Sequence, residues 1–217
     1  MNSVLLNYKL KDMDDCGLFD YLDRSLTEAT KRGYKTLIIG HIPYGVASYD
    51  CKEYLNLTKQ EQWLALLRKH AGGINGVFFG HTHRSELKSF MGEMPALIGP
   101  AISPLFGNSP GFRVVDYDID SQTLMDYTDY FMNLVDSSIT GASRWTAGFS
   151  ARELYGIPDI SPDSLRKMNA SIWESTQTYS KYAIAASGVF DPSYRTIECV
   201  MTSETKEQAQ ACINNAF

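Results

Sequence analysis

The chain has 217 residues, of which 44% are hydrophobic, and a formal net charge of -5. That length suits one domain or one and a fraction, and the apolar content excludes a disordered body. The acidic balance argues against a nucleic-acid polymer as partner, because phosphate binding needs clustered Lys and Arg. No run of about 18 apolar residues is present to span a membrane as a helix.

Residues 1–11 lack the basic start, apolar core and small-residue cleavage site of a signal peptide. Residues 4–6 form a short apolar run that reads as a strand. From Gly17 to Lys31, the residues Leu18, Tyr21, Leu22, Leu26 and Ala29 recur at helical spacing, and Gly33 ends that helix. Residues 35–40 (KTLIIG) read as a strand buried on both faces. A second helix is expected from Thr58, with Thr58 and Glu61 as a capping box and Trp63, Leu64 and Leu67 on one face. Gly72 and Gly73 stop it. Residues 77–80 (VFFG) are a second buried strand. Residues 96–99, 112–117 and 123–131 read as further strands, with a hairpin turn over 118–122. Beyond about Ser137 the pattern turns helical, around 152–155, 164–181 and 203–214, separated by turns bearing Pro158, Pro162 and Pro192. The expectation is an α/β (α+β) chain with a β-rich end, followed by a helical C-terminal extension.

Four cysteines are present without a C-x-x-C pair, so no zinc knuckle or thioredoxin motif is supported. Cys199 and Cys212 lie close enough in sequence for a disulfide that holds the tail. Asn56 and Asn169 begin N-x-S/T sequons and are candidate glycosylation sites. Disulfide-compatible spacing and sequons point to the secretory pathway, whereas the missing signal peptide points away from it.

The chemistry concentrates in three of the four histidines. Gly40-His41 follows the strand KTLIIG, and Gly80-His81-Thr82-His83 follows VFFG. Ligands gather at the carboxyl ends of strands in open α/β sheets, and imidazole is a common ligand for zinc and related metals. A single His after a strand is ordinarily a hydrogen-bonded structural residue; two glycine-histidine strand ends are a rarer coincidence. His70, before Gly72 at a helix end, is expected to complement the helix dipole.

Gly40-His41-Ile42-Pro43 and Gly80-His81-Thr82-His83, about forty residues apart, resemble the last two motifs of calcineurin-type metallophosphoesterases. The segments Asn108–Val114 (NSPGFRV), Asp126–Leu134 (DYTDYFMNL) and Leu154–Pro162 (LYGIPDISP) narrow the resemblance to acid-sphingomyelinase-like phosphodiesterases, in order along nearly the whole chain. The resemblance implies that residues 1–136 are the C-terminal part of a metallophosphoesterase catalytic domain, the later half of a four-layer β-sandwich flanked by helices, and that residues 137–217 are the family's helical extension. It implies that Cys199 pairs with Cys212. It implies two divalent metal ions, zinc first, with His41 and His81 on one and His83 on the other. The substrate is then a phosphodiester, phospholipid or nucleotide, with access to a lipid surface, in a secreted or lysosomal protein. The family usually has Pro at the position of Tyr44 and Asp at that of Ser85; Tyr44 is expected to face solvent or a substrate groove.

The family's three earlier motifs, D-x-H, G-D-x-x-D and G-N-H-[DE], are missing: no Asp stands two before a histidine, no Gly-Asp occurs, and Gly107-Asn108 is followed by Ser109. The bridging carboxylate and the leaving-group histidine are therefore expected outside this sequence, with Met1 an internal methionine of a longer reading frame. No catalytic general acid is assigned, and at most one metal ion is expected on these residues alone. Lost early strands would leave an apolar sheet face uncovered. The alternative is a short non-catalytic protein acting by weak metal binding or through a partner.

Overall fold

The computed structural model describes residues 1–9, 14–90, 93–187 and 194–216. The fold is α+β, with two sheets, and divides into two compact units. One comprises Met1–Phe79, Leu87–Leu97 and Arg195–Phe217; the other comprises Gly80–Glu86 and Ile98–Tyr194.

In the first unit, helix α1 (Leu18–Lys31) precedes strand β1 (Thr36–Ile39), and helix α2 (Leu57–Lys69) connects β1 to strand β2 (Ile74–Phe79). The two strands pair in parallel, as expected when a helix makes the crossover. Strands β3 (Glu86–Lys88) and β4 (Ala96–Ile98) complete the order β1-β2-β4-β3. Trp63, Leu64 and Leu67 of α2 are buried, each worth about 1.5–3 kcal/mol of apolar transfer. The C-terminal helices α7 (Tyr194–Thr202) and α8 (Lys206–Ala216) belong to this unit apart from Tyr194. They are joined by a disulfide between Cys199 and Cys212, with Cα atoms 5.6 Å apart. Two buried polar side chains hold them to the unit. Gln60 accepts from the Gly45 amide at 2.8 Å and donates to the Glu204 carbonyl at 3.0 Å. Lys88 is fully buried and donates to the carbonyls of Val46 and Val200.

Several expectations change here. Residues 3–6 form a 3-10 turn rather than a strand. β1 is not buried on both faces: it is an edge strand, and Leu37 and Ile39 are 43% and 64% exposed while Ile38 alone turns into the core. Tyr21, placed on the packed side of α1, is exposed. The N-cap of α2 is Asn56, whose side chain accepts from the amides of Thr58 and Lys59; an Asn cap one residue before Leu57 outcompetes the Thr58–Glu61 box. His70 does more than cap α2, since its ring bonds Asp23 of α1 at 2.6 Å, and Lys69 joins the same carboxylate.

In the second unit, strands β5 (Gly111–Asp118), β6 (Thr123–Met132) and β7 (Trp145–Ser150) form an antiparallel sheet in that order. The 118–122 turn is present, closed by Asp118 accepting from the Ser121 amide. Helices α3 (Leu134–Thr140), α4 (Ala151–Tyr155), α5 (Pro162–Glu174) and α6 (Thr176–Ser187) complete the unit. The helical stretch expected over 164–181 is two helices, because Ser175 is extended (φ -148) and its hydroxyl accepts from the Thr178 amide as a new start. β7 and α7 were not anticipated. Pro162 opens α5 rather than forming a turn, the favoured N1 use of proline, and Pro192 lies outside the described residues.

Buried tyrosines make this unit sensitive to alkali. Burial pushes the Tyr127 phenol up to about 12, against the opposing pull of Arg113. Burial, the largest cause, also raises Tyr182 well above its ordinary value. A group whose folded pKa is raised contributes stability fully present below the unfolded value and lost as pH rises through the folded one. Stability should therefore hold to about pH 10 and fall towards pH 12, Tyr127 alone accounting for about 2–3 kcal/mol. Phenolate absorbance followed together with far-UV circular dichroism checks this. If all 13 tyrosines ionise near pH 10 with the circular dichroism unchanged, these two are not buried in solution.

Candidate metal centre

His41 begins the loop after β1 in the first unit. Its backbone is fixed by Ser3, a fully buried residue whose hydroxyl accepts from the amides of His41 (2.9 Å) and Ile42 (2.6 Å). Gly40 is required just before it. A Cβ there would meet the Phe79 ring at 2.7 Å, so the absent side chain lets the aromatic residue close the end of β2 over β1. The imidazole of His41 lies on an exposed residue. Tyr44, expected in solvent or a groove, is fully buried instead. Its hydroxyl donates to the Met94 carbonyl, and its ring packs edge-on against Phe79 and Phe90. It fills core volume and can line no substrate path.

His81 and His83 share one loop in the second unit, and the turn there is made by the histidines themselves. Their φ angles are 79° and 63°, in the left-handed region that few non-glycine residues adopt, though His enters it more readily than most. Such a backbone persists only where neighbouring structure over-determines it, and it concentrates at sites that bind or react. Thr82, buried between the two histidines, donates its amide to the Gly80 carbonyl at 3.0 Å. Its hydroxyl accepts from the Arg84 amide at 3.3 Å. The His83 ring leans on Phe106 with centroids 4.9 Å apart. Its Nδ1 is buried without a hydrogen-bond partner.

A buried ring nitrogen left unsatisfied is costly, and a metal ion is one group that would satisfy it. On that observation the His83 imidazole fits part of a metal site. The fit stops there: among the described residues, no group of three or more His, Cys, Asp or Glu side chains, His41, His81 and His83 included, is spaced to hold a metal ion. The structure therefore joins His81 with His83 on one loop, and it places His41 on a separate unit.

Of the other expected sites, Asn56 and Asn169 are both half-buried. Each commits its Oδ1, Asn56 to capping α2 and Asn169 to the Trp173 indole at 3.2 Å. Cys16 and Cys51 are free thiols.

Behind the histidine loop lies a buried polar set that the sequence did not disclose. Arg113 and Asp129 are opposite each other in the β5–β6 register and form a two-point ion pair at 2.7 and 2.8 Å. Their side chains are 7% and 6% exposed. Burial pulls the Arg113 guanidinium down, and Asp129 more than offsets it, leaving it above its ordinary range. The Ser85 hydroxyl donates to Asp129 and accepts from Arg113.

Comparison with known proteins identifies the class. Residues 96–211 match the family described as the acid sphingomyelin phosphodiesterase C-terminal region, and the chain belongs to that family. Among curated relatives, it is 27% identical to the sphingomyelinase phosphodiesterase D of Dictyostelium discoideum, over 98% of this chain and 52% of that protein. It is 32% identical to the human acid sphingomyelinase-like phosphodiesterase 3b, over 80% of this chain and 42% of that one. It is 30% identical to the cyclic GMP-AMP phosphodiesterase of Bos taurus, over 83% and 43%. The chain thus spans about half the length of the curated relatives it matches.

Proposed function

We propose that the complete protein is a metal-dependent phosphodiesterase and that this chain supplies His41, His81 and His83 to its metal centre. The observation that carries the reading is the strained histidine loop, with two left-handed histidines and a buried, unsatisfied His83 Nδ1. Relatives named as phosphodiesterases of sphingomyelin and of cyclic GMP-AMP support the reaction class.

When bound, divalent ions (zinc first) would clamp a phosphodiester and activate water for in-line attack. The chain's own part is to hold imidazoles in place: Ser3 fixes the backbone at His41, and the buried Thr82 and Ser85 fix the loop of His81 and His83. No group here is assigned the proton of the leaving alcohol. The relative named as a sphingomyelinase phosphodiesterase favours a phospholipid among the phosphodiesters. The Cys199–Cys212 disulfide favours an oxidising, secreted or lysosomal setting. No helix among the described residues is long and apolar enough to cross a membrane.

The test is hydrolysis of a chromogenic phosphodiester by the natural protein, isolated at its intact mass, before and after chelation with zinc re-added. Zinc-restored turnover is expected from a protein longer than this chain. A natural 24.3 kDa species that is soluble, binds a partner and hydrolyses nothing would sink the reading in favour of the non-catalytic alternative.

A further inference from the structure

We infer that the turn between α7 and α8 is an acid-strengthened latch: Glu204 of that turn meets a guanidinium, Arg68, that Glu61 and Glu93 already occupy, and the C-terminal helix pair is held more tightly when Glu204 carries its proton. The inference is independent of the metal reading above, and all of these residues belong to the first unit. Arg68, near the end of α2, gives one arm of its guanidinium to Glu61 at 2.6 Å and the other to Glu93. Glu93 is 6% exposed, so little water or salt reaches it to screen its charge. Both arms are taken where Glu204 comes in as a third carboxyl. Three carboxylates about one guanidinium repel one another once all are ionised, and the cheapest relief is a proton on the third.

The turn's backbone is tied down beside this charge. The Glu204 carbonyl accepts from Gln60 of α2 at 3.0 Å, one residue before Glu61. The Glu204 amide donates to Gln208 at 3.0 Å, and the Lys206 amide donates to Glu53 at 2.9 Å. Other charges at the turn are those of Glu53, Lys206 and Glu207, while the charges acting on the Glu204 carboxyl are Glu93, Glu61 and Arg68. Burial, then Glu93 and Glu61, raise that carboxyl above its ordinary value, and Arg68 only partly opposes them. A carboxyl raised in the folded state contributes stability that is complete below its unfolded value and is lost as pH rises through the folded one. On account of Glu204 the latch is therefore strongest at and below pH 4.5, the ordinary glutamate value, and weakens as pH rises from there. Such a gradient acts on the docking of α7 and α8 first, because a locally attached element opens without global unfolding.

The experiment is hydrogen–deuterium exchange on the 217-residue chain and its Glu204→Gln and Glu207→Gln variants, at about pH 4.5 and 7, corrected for the intrinsic pH dependence of exchange. Amides of α8 are the readout, and amides of α5 in the second unit are the reference. In the wild type, protection of α8 relative to α5 should fall by about two- to fivefold at the higher pH, the scale that partly exposed charges carry. Glu204→Gln keeps a neutral side chain of the same size beside Glu93 at every pH, and should hold its acid-level protection. Glu207→Gln removes an exposed carboxylate of α8, and should show the same fall as the wild type. A wild type without the fall overturns the latch, and so does Glu204→Gln if its α8 protection still falls. If Glu207→Gln abolishes the fall as well, overall negative charge on α8 governs it, and the assignment to Glu204 is overturned.

Discussion

Replacing Asp129 with alanine should lower the free energy of unfolding by about 3–5 kcal/mol, the cost of stranding a buried charge. The guanidinium of Arg113 cannot shed its proton at any ordinary pH, and its side chain is 7% exposed. The variant therefore holds an uncompensated cation under the hairpin, or opens the hairpin to water. A second substitution separates these costs from the value of the pair. In Arg113→Met/Asp129→Leu, neither charge is left to bury, and stability should return to within about 1–2 kcal/mol of the wild type. Urea unfolding with an unchanged slope measures both. A loss under about 1 kcal/mol for Asp129→Ala would mean that water already reaches the pair, and the hold on Ser85 described above would then be weak.

The contrast between single and double variants also explains what sequence could reveal. Long periodic elements were legible: α1, α2, β5 and β6 each carry enough regularly spaced apolar residues to announce themselves. β3 was not, because it is three residues long and reads Glu86-Leu87-Lys88, two charged side chains that the fold nonetheless buries. Burial of Lys88 depends on carbonyls of Val46 and Val200, which no local pattern predicts. β7 is largely exposed and carries no alternation. The metal-ligand candidates were legible because His41 and His81 each follow a glycine at a strand end, with His83 two residues further on. Ser85 was noticed only as a departure from the family's usual Asp, since its partners lie 28 and 44 residues away. Tyr44 was misplaced for the same reason: its burial is decided by Phe79, Phe90 and Met94, which a loop motif does not encode. The exposed Leu37 and Ile39 mark where reading KTLIIG as buried on both faces failed. An apolar run is buried on both faces only where a packed layer covers each of them.

Replacing His81 with glycine in the catalytically competent protein should do two opposite things. Phosphodiester hydrolysis should fall by about 10³-fold or more. A bound metal ion is worth several kcal/mol of charge stabilisation in the transition state, and each 1.36 kcal/mol is tenfold in rate. At the same time glycine should relieve backbone strain, so that His81→Gly is more stable than His81→Ala by up to about 1 kcal/mol. The φ of 79° at His81 suits glycine, which enters that region without steric penalty. His81→Ala removes the same imidazole but keeps a Cβ at the strained position, so it should lose activity equally while being the less stable of the two. Zinc content, kcat/KM and the thermal midpoint of both variants are the measurements. An ordinary structural histidine behaves differently: its loss costs stability and leaves metal content alone. Retained activity and zinc in His81→Gly would remove this residue from the metal centre. Loss of both, with His81→Gly more stable than His81→Ala, fits a loop whose backbone is held in a costly shape by its surroundings.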